Sequence, residues 1–268
     1  MRKYLHVFGI GIQNTLVYRT NFLFRAAVSL IPLTGTLYLW KAVYGGRDPG
    51  GVIAGYTLSQ MVSYYLVVTL VDAFTAVAED DWQIAADIKD GNISQFLLKP
   101  IDYLTYRLCL YASGRAIYTT VALVPVAVFI FSLRQYFTAP PDAATLGLFL
   151  MSTVLAGLLQ FFIAYVMALL AFWVLDVSTF IFIQFAFEYI ASGHLFPIDI
   201  LPRWMALAVQ FTPYPYLLHF PVSLYLGRVT GAQVWLGLMV QAAWVTLGYG
   251  LARLVWARGI RRYSAVGG

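Results

Sequence analysis

The segment EDDWQIAADIKDGNISQFLLKPID, residues 79–102, is the longest hydrophilic stretch in a 268-residue chain, and long apolar runs stand on both sides of it. Glu79, Asp80 and Asp81 put negative charge into a first helical turn, where the helix dipole favours it. Helical spacing then sets Trp82, Ala85 and Ile88 on one face, opposite Asp87, Lys89 and Asp90. Gly91 suits the left-handed residue that ends such a helix. Asn92 or Ser94 is placed to cap a second short helix carrying Phe96, Leu97 and Leu98, which Pro100 stops. The expected local structure is helix, glycine corner, helix, lying on a membrane surface between two spans.

Composition supports the membrane. The chain is 61% hydrophobic and 11% charged, with mean hydropathy +0.75, which is more apolar surface than one water-soluble core can hide. The formal charge of +5 is scattered among apolar runs instead of forming a patch, which argues against nucleic-acid binding and matches the flanking charges that topology requires. One cysteine, Cys109, allows no internal disulfide, and the three histidines, His6, His194 and His219, are too far apart in sequence to suggest a metal cluster.

A helix needs about 20 mostly apolar residues to cross the hydrocarbon. By that ruler spans are expected at 22–44, 52–77, 103–133, 146–175, 177–192 and 232–256. Before them, Leu5, Phe8, Ile12 and Leu16 recur at helical spacing among Arg2, Lys3, Gln13, Asn14 and Arg19, so residues 1–21 read as an amphipathic helix in the interface and not as a cleaved signal. GGRDPGG (45–51) and the Ala-Pro-Pro at 139–141 make turns, and Asp176 with Ser178 and Thr179 makes a tight hairpin. No internal repeat or linker divides the chain, which reads as one domain, 1–268.

Lys and Arg counts near the span ends set the orientation. Arg2, Lys3, Arg19, Arg25, Lys89, Lys99, Arg107, Arg115, Arg253, Arg258, Arg261 and Arg262 fall on one side; Lys41, Arg47, Arg134, Arg203 and Arg228 fall on the other. Both termini and the 79–102 segment are therefore expected in the cytoplasm. The plain reading of that segment is a solvated tie between two spans. The sharper one is an element that sits in a groove of a soluble motor. It is favoured by an acidic cluster without membrane-binding lysines, and by the shortness of every other cytoplasmic loop.

On the opposite side, the fifth span carries Glu188 one turn from its end, followed by SGHLFPIDILPRW. A charge at mid-bilayer costs about 2.5–3.5 kcal/mol, so Glu188 is expected near the outer interface or facing protein and water. Gly193, Pro197, Pro202, Pro213, Pro215 and Pro221 prevent one straight helix, and residues 193–231 are expected as a re-entrant outer segment ending in the Tyr225–Gly227 turn. Glu188 and His194 have the look of an acid/base pair, but the simpler expectation is that they satisfy each other or Arg203 at the lip of the membrane. None of Lys3, Lys41, Lys89 and Lys99 follows a glycine, so there is no phosphate-binding loop, and HExxH and GxSxG are absent as well.

Taken together, the chain resembles the permease subunits of ABC type-2 transporters over nearly its full length. The residues that carry the resemblance are IKDGNISQFLLKPID (88–102) and the 192–227 stretch with Phe196-Pro197, Leu201-Pro202, Pro213, Pro215, Pro221 and Gly227. The resemblance implies an all-α integral membrane fold of about six transmembrane helices, with an elbow helix (1–21), a coupling helix (about 79–91) and a re-entrant outer segment between helices five and six. It implies a plasma (inner) membrane protein of a prokaryote and a translocation pathway formed with a second permease, identical or a sister chain. Export would be driven by a separate nucleotide-binding ATPase subunit. No cofactor is expected on this chain, ATP and Mg belonging to the partner; membrane lipid is expected around it, nucleic acid is not. Contact with the motor would fall to Asp80, Trp82, Ile84, Asp87 and Ile88, with Gly91 as the corner; Glu188, Gly193, His194, Pro197 and Pro202 would form an outer gate. Two other readings stand beside this one: an ABC-like scaffold that anchors surface machinery without moving a solute, and a membrane-embedded enzyme acting on lipid without nucleotide.

Overall fold

The computed structural model describes residues 2–17, 19–46, 51–77 and 80–263, and among these the chain is all-helical. Glu79 and residues 47–50 of the expected first turn lie outside them. The helices are α1 (Arg2–Val17), α2 (Arg19–Gly45), α3 (Leu58–Thr75), α4 (Asp80–Lys89), α5 (Ile93–Leu97), α6 (Tyr103–Ser132), α7 (Ala143–Leu169), α8 (Ser178–Ala191), α9 (Arg203–Gln210), α10 (His219–Tyr225) and α11 (Ala232–Arg262). Single 3-10 turns follow α7 (Leu170–Phe172) and flank α9 (Ile198–Ile200 and Tyr214–Tyr216).

Among the described residues, four segments are long and apolar enough to cross a membrane: Leu58–Thr75, Tyr103–Ser132, Ala143–Phe172 and Ala232–Arg262. Side chains fix where three of them start. Thr57 and Gln60 form a reciprocal capping box on α3, so this helix begins later than the apolar run at Val52 implies. Asp102 caps α6 through Thr105, and Asp142 caps α7 through Thr145. Of the other two expected spans, α2 has 27 residues and α8 has 14.

α3 lies at the centre. Every residue from Met61 to Val68 is buried, including Ser63, so it shows water or lipid almost nothing. α6, α8 and α11 do the reverse: Phe131, Phe182, Met239 and Leu247 are each more than 60% exposed, a surface that only lipid or another apolar partner satisfies. The core divides by level. One cluster gathers Leu33, Leu37 and Trp40 of α2 around Tyr64, Leu66 and Val67 of α3 and Val222 of α10. The other gathers Ile84 and Ile88 of α4, Ile93 of α5, Tyr103 of α6, Phe161 and Tyr165 of α7 and Ala252 of α11. The polar 80–102 segment closes one end of the bundle and the proline-rich 192–231 segment closes the other.

α1 packs along the first turns of α6. The Lys3 ammonium meets the Pro100 carbonyl, and the Tyr4 hydroxyl accepts the Asp102 amide at 3.1 Å. In the membrane-spanning part, Gln241 of α11 is fully buried and ties three elements together: it accepts the Ser152 hydroxyl of α7 at 2.9 Å and donates to the Ser152 and Tyr216 carbonyls, both at 2.9 Å. Such bonds hold helices together where the hydrophobic effect cannot.

Candidate functional site: the polar helix pair and the groove above it

The helix–corner–helix expected in 79–102 is present. α4 ends at Lys89, Gly91 takes φ +77°, and α5 follows. Asn92 occupies the position before α5 without a capping bond; Ser94 instead donates its hydroxyl to the Gly91 carbonyl at 2.7 Å. That carbonyl also accepts the Tyr263 hydroxyl at 3.0 Å, which fastens the corner to the end of α11.

The faces of α4 differ from the expectation. Ile84, Ala85 and Ile88 are buried and pack toward α7 and its 3-10 turn, while Trp82 is 48% exposed and Gln83, Ala86, Lys89 and Asp90 are exposed with it. Ile84 and Ile88, expected to touch a motor, are thus used inside the chain. Asp80 begins the helix; its side chain lies outside the described residues. Asp87, expected to face water, turns inward to Arg107 of α6 in an ion pair whose side chains are only 18% and 6% exposed. The Tyr103 hydroxyl donates to the same carboxylate oxygen at 2.7 Å, Arg107 Nε donates to the Tyr103 oxygen at 3.0 Å, and Arg107 Nη1 donates to Gln83 Oε1 at 3.3 Å. An arginine on the helix after the segment captures Asp87 because a guanidinium facing a core needs a carboxylate more than water does.

The foot of α6 is fastened on other sides as well. Asp102 pairs with Arg253 of α11 at 2.5 Å, and the Tyr103 ring stacks on Trp256 of α11 at 5.0 Å and 15°. Although partial burial pushes the Asp102 carboxyl up, the Thr105 hydroxyl and amide together with Arg253 hold it below the usual carboxylate range.

Between the start of α4, α7 and α8 runs a groove of about 520 Å³. Its polar groups include Asp81, Gln160, Gln184 and Glu188; Trp82, Phe182 and Phe185 supply much of the rest. Glu188 is paired by the Gln184 amide one turn earlier on α8, not by His194. His194 stands 4.0 Å from Asp72 of α3 and against the Tyr189 ring at 4.4 Å. The expected Glu188–His194 pair therefore does not form: the carboxylate finds a partner on its own helix, and the imidazole reaches a different one.

The rest of the 192–231 segment is pinned to α3 and to the turn before it. Gly193 has φ +86° and its carbonyl accepts the Tyr64 hydroxyl at 2.6 Å; a Cβ at that position would sit 2.6 Å from the same oxygen. Pro197 and Pro202 stand just before the Ile198–Ile200 turn and α9, and break the chain between them. Between the two prolines, Asp199 accepts the Tyr56 hydroxyl at 2.7 Å and lies 3.9 Å from Arg228 and 3.8 Å from His219. Arg228 in turn covers the Tyr56 ring at 3.7 Å and donates to the Gly55 carbonyl at 2.8 Å.

Sequence reading missed Arg107, Tyr103, Asp72 and Asp199 as site residues. Arg107 had a usable signal, since a cation placed inside an apolar run has to find a partner, but Asp102 and Asp90 are nearer in sequence than Asp87.

Comparison with known proteins agrees with this architecture. No curated protein and no solved structure matches the chain at a significant level. The family described as ABC-2 family transporter protein matches residues 30–267, from within α2 to beyond α11. A polar helix pair closing one end of a multi-pass apolar bundle, within a match of that length, means that the chain belongs to the ABC-2 transporter family and is a membrane permease of an ABC transporter.

Proposed function

We propose that this permease is the pathway-forming half of an exporter driven by a separate ATPase subunit that docks on α4 and α5. The observation that carries the reading is the division of α4: its apolar face is consumed inside the bundle, while Trp82, Gln83, Ala86, Lys89 and Asp90 face outward beside Leu97 and Leu98. A half-exposed tryptophan amid charged residues on a short helix is a surface suited to a groove in a soluble partner. The docking residues of this reading are Trp82, Lys89 and Asp90, with Gly91 setting the angle; Ile84, Asp87 and Ile88 act behind them.

In this reading α2 and α8 complete six spans, α1 is the elbow helix, 193–231 is a re-entrant outer segment, and Glu188, Gly193, His194, Pro197 and Pro202 form its gate. Both termini are cytoplasmic, the membrane is the inner membrane of a prokaryote, and a second permease, identical or a sister chain, closes the pathway along α8. ATP and Mg bind the partner ATPase, and this chain binds no cofactor.

The test is purification in mild detergent from the native host, with identification of what accompanies the protein and an assay of ATP hydrolysis. An ATP-binding subunit should co-purify, and Trp82→Ala should reduce its recovery without changing the elution volume of the permease. A permease that emerges alone and without ATPase activity, under conditions that preserve complexes, would overturn the reading.

A further inference from the structure

We infer that the buried Asp87–Arg107 pair is the positioning link through which movement of α4 reaches α6, with Tyr103 and Gln83 holding it in a single geometry; the inference rests on the docking role proposed for α4. The closest packing of α4 is against α7 and the 170–172 turn, through Ile84, Ala85 and Ile88. Apolar contacts of that kind have no preferred direction and allow a helix to slide or rock. The path from α4 to α6 is of another kind. The side chains of Asp87 and Gln83 hold the guanidinium of Arg107, and the Tyr103 hydroxyl bonds to both Asp87 and Arg107. Charge-assisted bonds to a planar guanidinium are directional and resist both rotation and separation.

Stability alone does not account for the pair. Two charges with side chains only 6% and 18% exposed carry a desolvation cost that apolar residues of the same volume would avoid. What the ions supply and apolar side chains do not is a fixed orientation between two helices that otherwise pack little. From the foot of α6 the constraint continues. Tyr103 stacks on Trp256, Asp102 pairs with Arg253, and the Asp102 amide donates to Tyr4. A displacement of α4 that carries Asp87 therefore carries α6, α11 and α1 together. The same displacement shifts Asp81 and Trp82 against α8, changing the width of the groove they line.

The experiment uses the permease co-expressed with its ATPase, a Cys109→Ser background and a single reporter, Phe185→Cys, on the groove wall. The rate of maleimide labelling is measured without nucleotide and with ATP plus vanadate. In the otherwise unmodified complex the two rates should differ. Asp87→Asn and Arg107→Gln should each shrink that difference about fivefold or more, the scale of a typical coupling between sites. The ATPase should still co-purify and hydrolyse ATP, and the double variant should be no worse than either single change. Tyr103→Phe keeps the ring against Trp256 and removes only the hydroxyl, so its smaller loss of response guards against a misfolded arginine variant.

Full nucleotide response in the single variants, or losses that multiply in the double variant, would overturn the link and leave the pair a structural one. Failure of the ATPase to co-purify with the unmodified permease would instead remove the docking reading, and the link with it.

Discussion

Gly91 shows how one residue sets the geometry of an element. Its φ of +77° lies where an L side chain costs about 1–2 kcal/mol, and a β-branched one is worse. Space is not the obstacle, since a Cβ there would meet only Tyr263 Oη at 3.5 Å, an ordinary contact. Gly91→Val should therefore lower the unfolding temperature and uncouple ATP hydrolysis by a co-purified ATPase from the nucleotide-dependent change in the permease. A valine variant with wild-type unfolding temperature and nucleotide response would show that the corner needs no left-handed residue. The corner was legible in sequence because a glycine between a charged helix end and a new apolar run is the usual mark of a helix terminus. Asp87 was not legible in the same way. Its partner Arg107 lies 20 positions on, inside an apolar run, and helical periodicity within α4 carries no information about a cation on another helix.

At the scale of elements, two polar ties decide how the helices stand. Gln241→Leu removes the bonds from α11 to α7 and to the Tyr216 carbonyl, and leaves the fully buried Ser152 hydroxyl without its partner. The expected loss is about 1–3 kcal/mol, read as a lower unfolding temperature in detergent; an unchanged midpoint would mean that apolar packing alone holds α7 against α11. The second tie is Asp102, which caps α6 and pairs with Arg253. Its folded pKa lies below the ordinary carboxylate value, so its stabilisation is fully present above that value and disappears as pH falls through the lower folded one. Asp102→Asn keeps the acceptor for Thr105 and removes the charge. The wild type should therefore be the more stable of the two above about pH 5, and the gap should close in acid and narrow at high salt because both side chains are well exposed. A gap independent of pH would assign the effect to the cap and not to the ion pair. Element positions followed from apolar length and turn residues, so α6, α7, α8 and α11 fall close to their expected places. The start of α3 did not, because Val52 is as apolar as a helix residue and the chain is turned away by Ala54 and Gly55, both at positive φ.

For the molecule as a whole, orientation is the property from which every functional statement hangs. The two groups of basic residues are put to separate uses. Arg107 and Arg253 bind acids at the α4–α5 end of the bundle, and Arg228 binds Asp199 at the other end. Leu175, 90% exposed in the turn between α7 and α8, and Arg203, exposed at the start of α9, mark the two surfaces. In a Cys109→Ser background, a membrane-impermeant maleimide should label Arg203→Cys in intact cells and Leu175→Cys only after the inner membrane is permeabilised. The reverse pattern would turn the molecule over. The polar helix pair would then face away from any cytoplasmic ATPase and the proline-rich segment toward it, and neither the docking face on α4 nor the Asp87–Arg107 link could act as described. Labelling of both positions in intact cells would put the two ends of α8 on the same, outer side, so that its 14 residues would enter the bilayer and return while α7 alone crosses it, and α8 would no longer count among six spans.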